Sequence, residues 1–170
     1  LQIDNLPKVS LTKIFRQSED STIVTLASQM RKGQLPADFT EKKADRSYFE
    51  ANASHIPQMV PKIISAAIKS GIAAQDVQIL APMYRGQAGI NNLNTIMQDL
   101  LNPKEKANQF AFNDIFFRKN DKILHLVNDT ELNVFNGDIG IITDLIPGKY
   151  TESKQDEIYM SFDGNEVIYP

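Results

Sequence analysis

The spacing of apolar positions changes along the chain, from helical stripes set between short strand-type runs to short β-rich runs alone. Lys8–Phe15, KVSLTKIF, alternates in part and is rich in β-formers, which predicts a strand. Ser18, Glu19, Asp20 and Ser21 then supply an N-cap and first-turn acids. Ile23, Leu26, Ala27 and Met30 share one helical face, and Gly33 can end that helix. Leu35–Asp45 is a polar connection, and Ser47–Glu50 follows as a short strand. Ser54 or His55 opens a second helix, with Ile56, Val60, Ile63, Ile64, Ala67 and Ile68 as its stripe and Gly71 as its end. Pro57 suits the first turn; Pro61 is expected to kink the helix or to mark its true start.

The stretch Val77–Leu101 repeats the scheme most clearly. Val77–Ala81 is a strand-type run closed by Pro82. Met83–Gly89 is a turn with glycines at 86 and 89. Ile90, Leu93, Asn94, Met97, Leu100 and Leu101 fall at helical spacing. Strand, glycine turn and helix make a unit of an α/β fold. Asn102-Pro103 breaks the helix, and Pro103–Asn108 is charged and linker-like.

From Phe110 the helical period is gone. Lys122–Val127, Asn133–Phe135, Ile139–Ile146, Glu157–Phe162 and Glu166–Tyr169 are rich in Ile, Val, Phe and Tyr. Between them stand Asn128-Asp129, Asn136-Gly137, Pro147-Gly148 and Asp163-Gly164, which are turn formers. Closely spaced short strands predict a small barrel. The chain therefore divides into an α/β part over residues 1–115 and a β part over residues 116–170.

Composition narrows the function classes. The chain has 170 residues, of which 42% are apolar and 23% charged, a globular balance. No segment is apolar for long enough to span a bilayer, so no membrane role is expected. No signal peptide is seen, and the missing initiator Met with a last strand cut short leads us to expect an excised fragment. Cysteine is absent, which excludes disulfides and thiolate metal sites and fits a cytoplasmic origin. His55 and His125 offer no ligand spacing, so no metal site is expected. A net charge of −3 argues against a histone-like binder but not against a local basic groove.

Two corners carry candidate chemistry. Arg85 stands where a strand gives way to a helix, a place where backbone N–H groups and a fixed cation suit phosphate. Gly86 and Gly89 are equally read as turn residues, and Arg85 as a solvated surface cation. Arg16-Gln17 stand at the end of the first predicted strand, where Arg16 is open to a phosphate role or to an ion pair with Glu19 or Asp20.

Three stretches in order resemble one family. LTKIFRQ at Leu11–Gln17 is similar to motif IV of superfamily 1 helicases. LAPMYRGQAGINNLN at Leu80–Asn94 is similar to the next block of RecD-like helicases. NDKILHLVNDTELNVFNGDIGII at Asn120–Ile142 resembles their block leading into an inserted barrel of the Src-homology-3 type, with Asn120 where that block usually has Gly. The best match is the RecD-like 5′→3′ DNA helicase group, of the exodeoxyribonuclease V alpha-chain type, which acts in repair and recombination.

The resemblance implies the front of a second RecA-like, parallel-sheet domain followed by an SH3-like barrel. It implies ATP and Mg²⁺ as cofactors of a longer parent, and as partners single-stranded DNA, the parent's first RecA-like domain and other exonuclease subunits. Arg16 matches the arginine that senses the γ-phosphate, with Gln17 orienting the corner. Tyr84, Arg85, Gly86 and Gly89 become contacts to the DNA backbone, although Tyr84 also suits core packing. Asn128, Asn136 and Gly137 are further DNA candidates whose types also serve their own turns. No G-x-x-x-x-G-K-[ST] phosphate loop and no Asp-Glu magnesium motif occur in the sequence, so the chain alone is expected not to hydrolyse ATP. The alternative is a non-catalytic module that binds nucleic acid or protein through its barrel.

Overall fold

The computed structural model describes residues 21–104, 109–112 and 115–170. The chain forms two compact units that divide between Ala51 and Asn52. The predicted strand Lys8–Phe15 and the Arg16-Gln17 corner lie outside the described residues.

In the first unit, helix α1 covers Thr22–Arg31 and Gly33 ends it at φ +73°. Ser21 occupies the N-cap but makes no side-chain cap of its own. The cap comes from far along the chain. The Asp45 carboxylate accepts from the Thr22 N–H at 2.8 Å, the Ile23 N–H at 3.3 Å and the Ser21 hydroxyl at 3.0 Å, and from the Thr22 hydroxyl. The expected Ser18, Glu19 and Asp20 lie outside the described residues; the described cap comes from an aspartate 24 residues from Ser21. These donors, the Thr22 hydroxyl foremost, hold the Asp45 carboxyl down at about 2. Arg46 beside it donates to Phe39 O at 2.6 Å and Asp38 O at 3.3 Å, closing the polar connection into a loop. Ser47–Glu50, expected as a strand, joins no ladder among the described residues. Tyr48 instead sets its ring edge-on to Phe39, with centroids 5.3 Å apart.

In the second unit, helix α2 spans Ile56–Lys69 with Pro57 in its first turn, and it continues through Pro61. Gly71 ends it at φ +102°. A short 3₁₀ turn, Ala74–Asp76, leads into Val77–Ala81. That run is extended and alternates: Val77, Ile79 and Ala81 are half-buried while Gln78 and Leu80 face solvent. It is not a strand, because no ladder forms on either edge among the described residues. Helix α3 covers Ile90–Leu101, packs on α2 and buries Leu93 and Met97.

Two sheets follow, both antiparallel. The parallel sheet expected for an α/β part is not among the described residues. Strands β1 (Gln109–Phe112) and β2 (Ile115–Arg118) pair with each other. This hairpin escapes the sequence pattern because its apolar residues run together rather than alternate. Strands β3 (Lys122–Leu124), β4 (Ile139–Ile146), β5 (Glu157–Phe162) and β6 (Asn165–Tyr169) form a four-stranded meander. Asn133–Phe135, expected as a strand, contributes one isolated bridge, Asp129 to Val134. Asp163 and Gly164 both have positive φ, 50° and 86°, as a tight type I′ hairpin between β5 and β6 requires. In β4 the register slips between Ile142 and Asp144. The slip lets Ile142 and Leu145, three residues apart, both lie fully buried. Val134, Phe162 and Val167 form the core, with Ile123, Leu132, Met160 and Tyr169 packed on it.

Candidate nucleic-acid interface

The corner Met83–Gly89 is built by its backbone. Gly86 has φ +92°, which favours glycine, and open space where a Cβ would stand. Gly89 is required for a different reason. A Cβ there would lie 2.5 Å from Arg85 O and 2.7 Å from Tyr84 O. The chain folds back on itself so tightly that only hydrogen fits. Two first-turn amides of α3 are satisfied from within: Ile90 N–H donates to Met83 O at 2.9 Å and Asn91 N–H to Tyr84 O at 3.1 Å. Asn92 ties its side-chain amide to Gln87 O at 2.7 Å.

This corrects one expectation. The amides of Ile90 and Asn91 are occupied and are not open to a phosphate. It also decides another, because Tyr84 is 70% exposed and is no core residue. Its neighbours Met83 and Leu80 are 55% and 87% exposed, and Arg85 is exposed beside them. Neither the Tyr84 ring nor the Arg85 guanidinium has a side-chain partner among the described residues. The corner thus presents an aromatic face and a permanent cation that the described residues do not use.

The barrel candidates lie in a loop that closes on itself. Asn128 Oδ1 accepts from the Asn136 N–H at 2.9 Å. Gly137, at φ +101°, donates its N–H to His125 O at 2.8 Å. Asp138 accepts from the Phe135 N–H at 2.7 Å. Asn128 and Gly137 thus have clear local work in holding the loop. His125 has structural surroundings, its ring edge-on to Phe162 at 5.8 Å.

The turn from Arg118 to Lys122 carries residues that the pattern of the sequence did not single out. Asn120 sits at φ +72°. Asparagine is the side-chain-bearing residue best suited to that region, so it serves where the resembling block has glycine. Asp121 Oδ2 accepts from Gln98 Nε2 at 2.6 Å and from the Arg118 N–H at 2.7 Å, and Oδ1 accepts from Asn102 Nδ2 at 2.7 Å. Arg118 donates to the Asn102 carbonyl at 2.9 Å and meets Asp99 at 2.9 Å, closing the C-terminal end of α3. Gln98 and Asn102, four apart on a helix end, were the available signal, since they present two amides on one face.

No cluster of His, Asp and Glu among the described residues could hold a metal ion. No helix among them is long and apolar enough to cross a membrane.

Residues 93–162 match the family model of the SH3 domain of ATP-dependent RecD-like DNA helicases. Over that span the chain resembles RecD-like helicases. It is also similar to the ATP-dependent RecD2 DNA helicase of Deinococcus radiodurans, 28% identical over 163 residues that cover 95% of this chain. The chain spans 20% of the length of that relative. Its meander β3–β6 lies largely within the matched SH3 domain, whose match begins at Leu93, inside α3.

Proposed function

We propose that the RecD-like chain belongs to an ATP-driven 5′→3′ DNA helicase and supplies part of its second RecA-like domain, over residues 1–115, followed by the SH3-like domain. The parent acts in the cytoplasm on single-stranded DNA and uses ATP with Mg²⁺, bound against a first RecA-like domain. The chain itself is inactive without that domain's phosphate loop. The extended run Val77–Ala81 supports a strand of the RecA-like sheet, since it alternates and leaves Leu80 bare. Arg16 takes the γ-phosphate-sensing role, because a permanently charged planar fork matches phosphate oxygens. Gln17 steadies that corner.

One observation carries the DNA contact. Tyr84 and Arg85 project from a corner whose shape is fixed by Gly86, Gly89 and backbone bonds, so both side chains remain for a ligand. A cation beside an aromatic face holds a phosphate and stacks a base or sugar without reading sequence. Asn128, Asn136 and Gly137 shape the barrel loop that flanks the strand.

Arg85→Ala in the intact parent tests this by titration with single-stranded DNA at several salt concentrations. Affinity is expected to fall about equally for different sequences, and the salt slope to flatten by roughly 0.7. Arg16→Ala is expected to do the reverse, cutting turnover on the order of 10³-fold while sparing affinity. Unchanged affinity and slope in Arg85→Ala would reduce the corner to a turn. A loss confined to one sequence would indicate base reading instead.

A further inference from the structure

Backbone bonds close the turn Arg118–Lys122 and tie it to β4. Asp121 N–H reaches Arg118 O at 3.0 Å, Asn120 N–H reaches Ile142 O at 2.8 Å, and Ile142 N–H reaches Asp121 O at 2.9 Å. Three side chains of the turn also reach the segments that flank the Tyr84–Gly89 corner, Asp121 while still accepting from the Arg118 N–H within the turn. Lys122 goes to the entry side, donating to Gln75 O at 2.9 Å and Val77 O at 2.6 Å. Asp121 and Arg118 go to the exit side, at the far end of α3, through Gln98, Asn102 and the Asn102 carbonyl. The Arg118 side chain is only 12% exposed, so its bonds are shielded from water.

We propose that this turn is a clamp: Asp121 and Lys122 are positioning residues that fix both flanks of the corner to the SH3-like domain, so that the two grip one DNA strand as a rigid pair. The inference rests on the DNA-contact reading of Arg85. The start of the family match at Leu93 supports it independently, since the matched module includes the part of α3 that the clamp holds. Two binding elements held in fixed geometry act on one ligand with a high effective concentration, and a loose joint forfeits that gain.

The sign of the effect distinguishes a clamp from plain electrostatics. Asp121→Asn removes a negative charge, which by itself favours DNA. A clamp makes the same change weaken binding, because an amide cannot accept from Gln98, Asn102 and the Arg118 N–H together. The experiment uses the intact parent and thymidine homopolymers of about 5 and about 20 nucleotides, shorter and longer than a typical single-strand site. Asp121→Asn and Lys122→Met are expected to lower affinity for the long strand about 10-fold and to leave the short strand within about twofold. Lys122→Arg is expected to restore the long-strand affinity. Hydrogen exchange at the last turn of α3 is expected to quicken in Asp121→Asn while that of β4 and β5 stays slow.

Long-strand affinity that is unchanged or raised in both loss variants overturns the proposal, as does an equal loss for both lengths. If Arg85→Ala changes neither affinity, the DNA-contact reading fails by itself. The clamp is then judged by exchange alone, and unaltered exchange at the end of α3 in Asp121→Asn overturns it.

Discussion

From β3 to β6 the chain supplies its own partners, whereas α1 and α2 do not. Val134, Ile142, Leu145, Phe162 and Val167 are buried within the meander and its loop, and each strand is paired. Neither α1 nor α2 buries a single residue fully, although α2 carries a strong apolar stripe. Leu80 and Met83 stand bare beside α3. Burying apolar area is the main term that offsets the entropy of folding. The two regions therefore rest on different supports. The SH3-like domain holds itself, while the helices carry half-covered apolar faces.

The sharpest way to break this contrast is to empty the self-sufficient core. Ile142→Ala removes a fully buried side chain and is expected to cost about 2–5 kcal/mol, read as a lowered denaturation midpoint of the SH3-like domain. A cost near zero would mean that the meander is not an independent core. Next comes Gly89→Ala, whose new methyl would press on the Tyr84–Arg85 backbone. It is expected to cost about 1–3 kcal/mol and to displace the corner, lowering DNA affinity while amide exchange in β4 and β5 stays slow. Loss of slow exchange in those strands would show that corner and meander fold as one unit.

The smallest effect belongs to α1. Asp45 is depressed from 3.8 to about 2, so its stabilisation of the helix start is fully present above the ordinary carboxylate value. It is lost as pH falls through about 2. Asp45→Asn is expected to quicken amide exchange at Thr22 and Ile23 near neutrality. It is also expected to abolish the pH dependence of their protection, taken relative to the unfolded chain at the same pH, across that acid window. Persistent dependence in the variant would assign the titration to another group.

What the sequence made legible follows from how local each feature is. Strands β4 and β5 coincide with the predicted Ile139–Ile146 and Glu157–Phe162, because apolar runs between tight-turn dipeptides are local signals. Helices α2 and α3 were legible on the same grounds, with Gly71 ending α2 and Asn102-Pro103 breaking α3. The cap of α1 was not, since Asp45 reaches it across the connecting loop, and spacing within a helix says nothing of distant side chains. The β1–β2 hairpin was missed because FAF and IFF lack alternation. Of the candidate site, the glycine corner was legible as a turn, but the occupation of its amides by Met83 and Tyr84 was not. The links from Arg118, Asp121 and Lys122 were equally hidden, since each joins residues 16 to 47 positions apart.

The slipped register in β4 bears on changes of length more than on changes of residue. Gly140 and Ile142 are buried on even positions, Leu145 on an odd one, and Thr143 is the residue where the parity turns over. The strand is in effect two words spelled in different frames. A deletion at Thr143 would remove the extra residue and leave Gly140, Ile142 and Leu145 in plain alternation, whereas a deletion elsewhere in β4 would exchange inside for outside along one whole half, a fault that no single side chain could repair. The 3₁₀ turn at Gly148–Tyr150 lies outside both frames, so length can vary there without disturbing either. Relatives of this domain should accordingly differ in size at their turns and keep the count through β4.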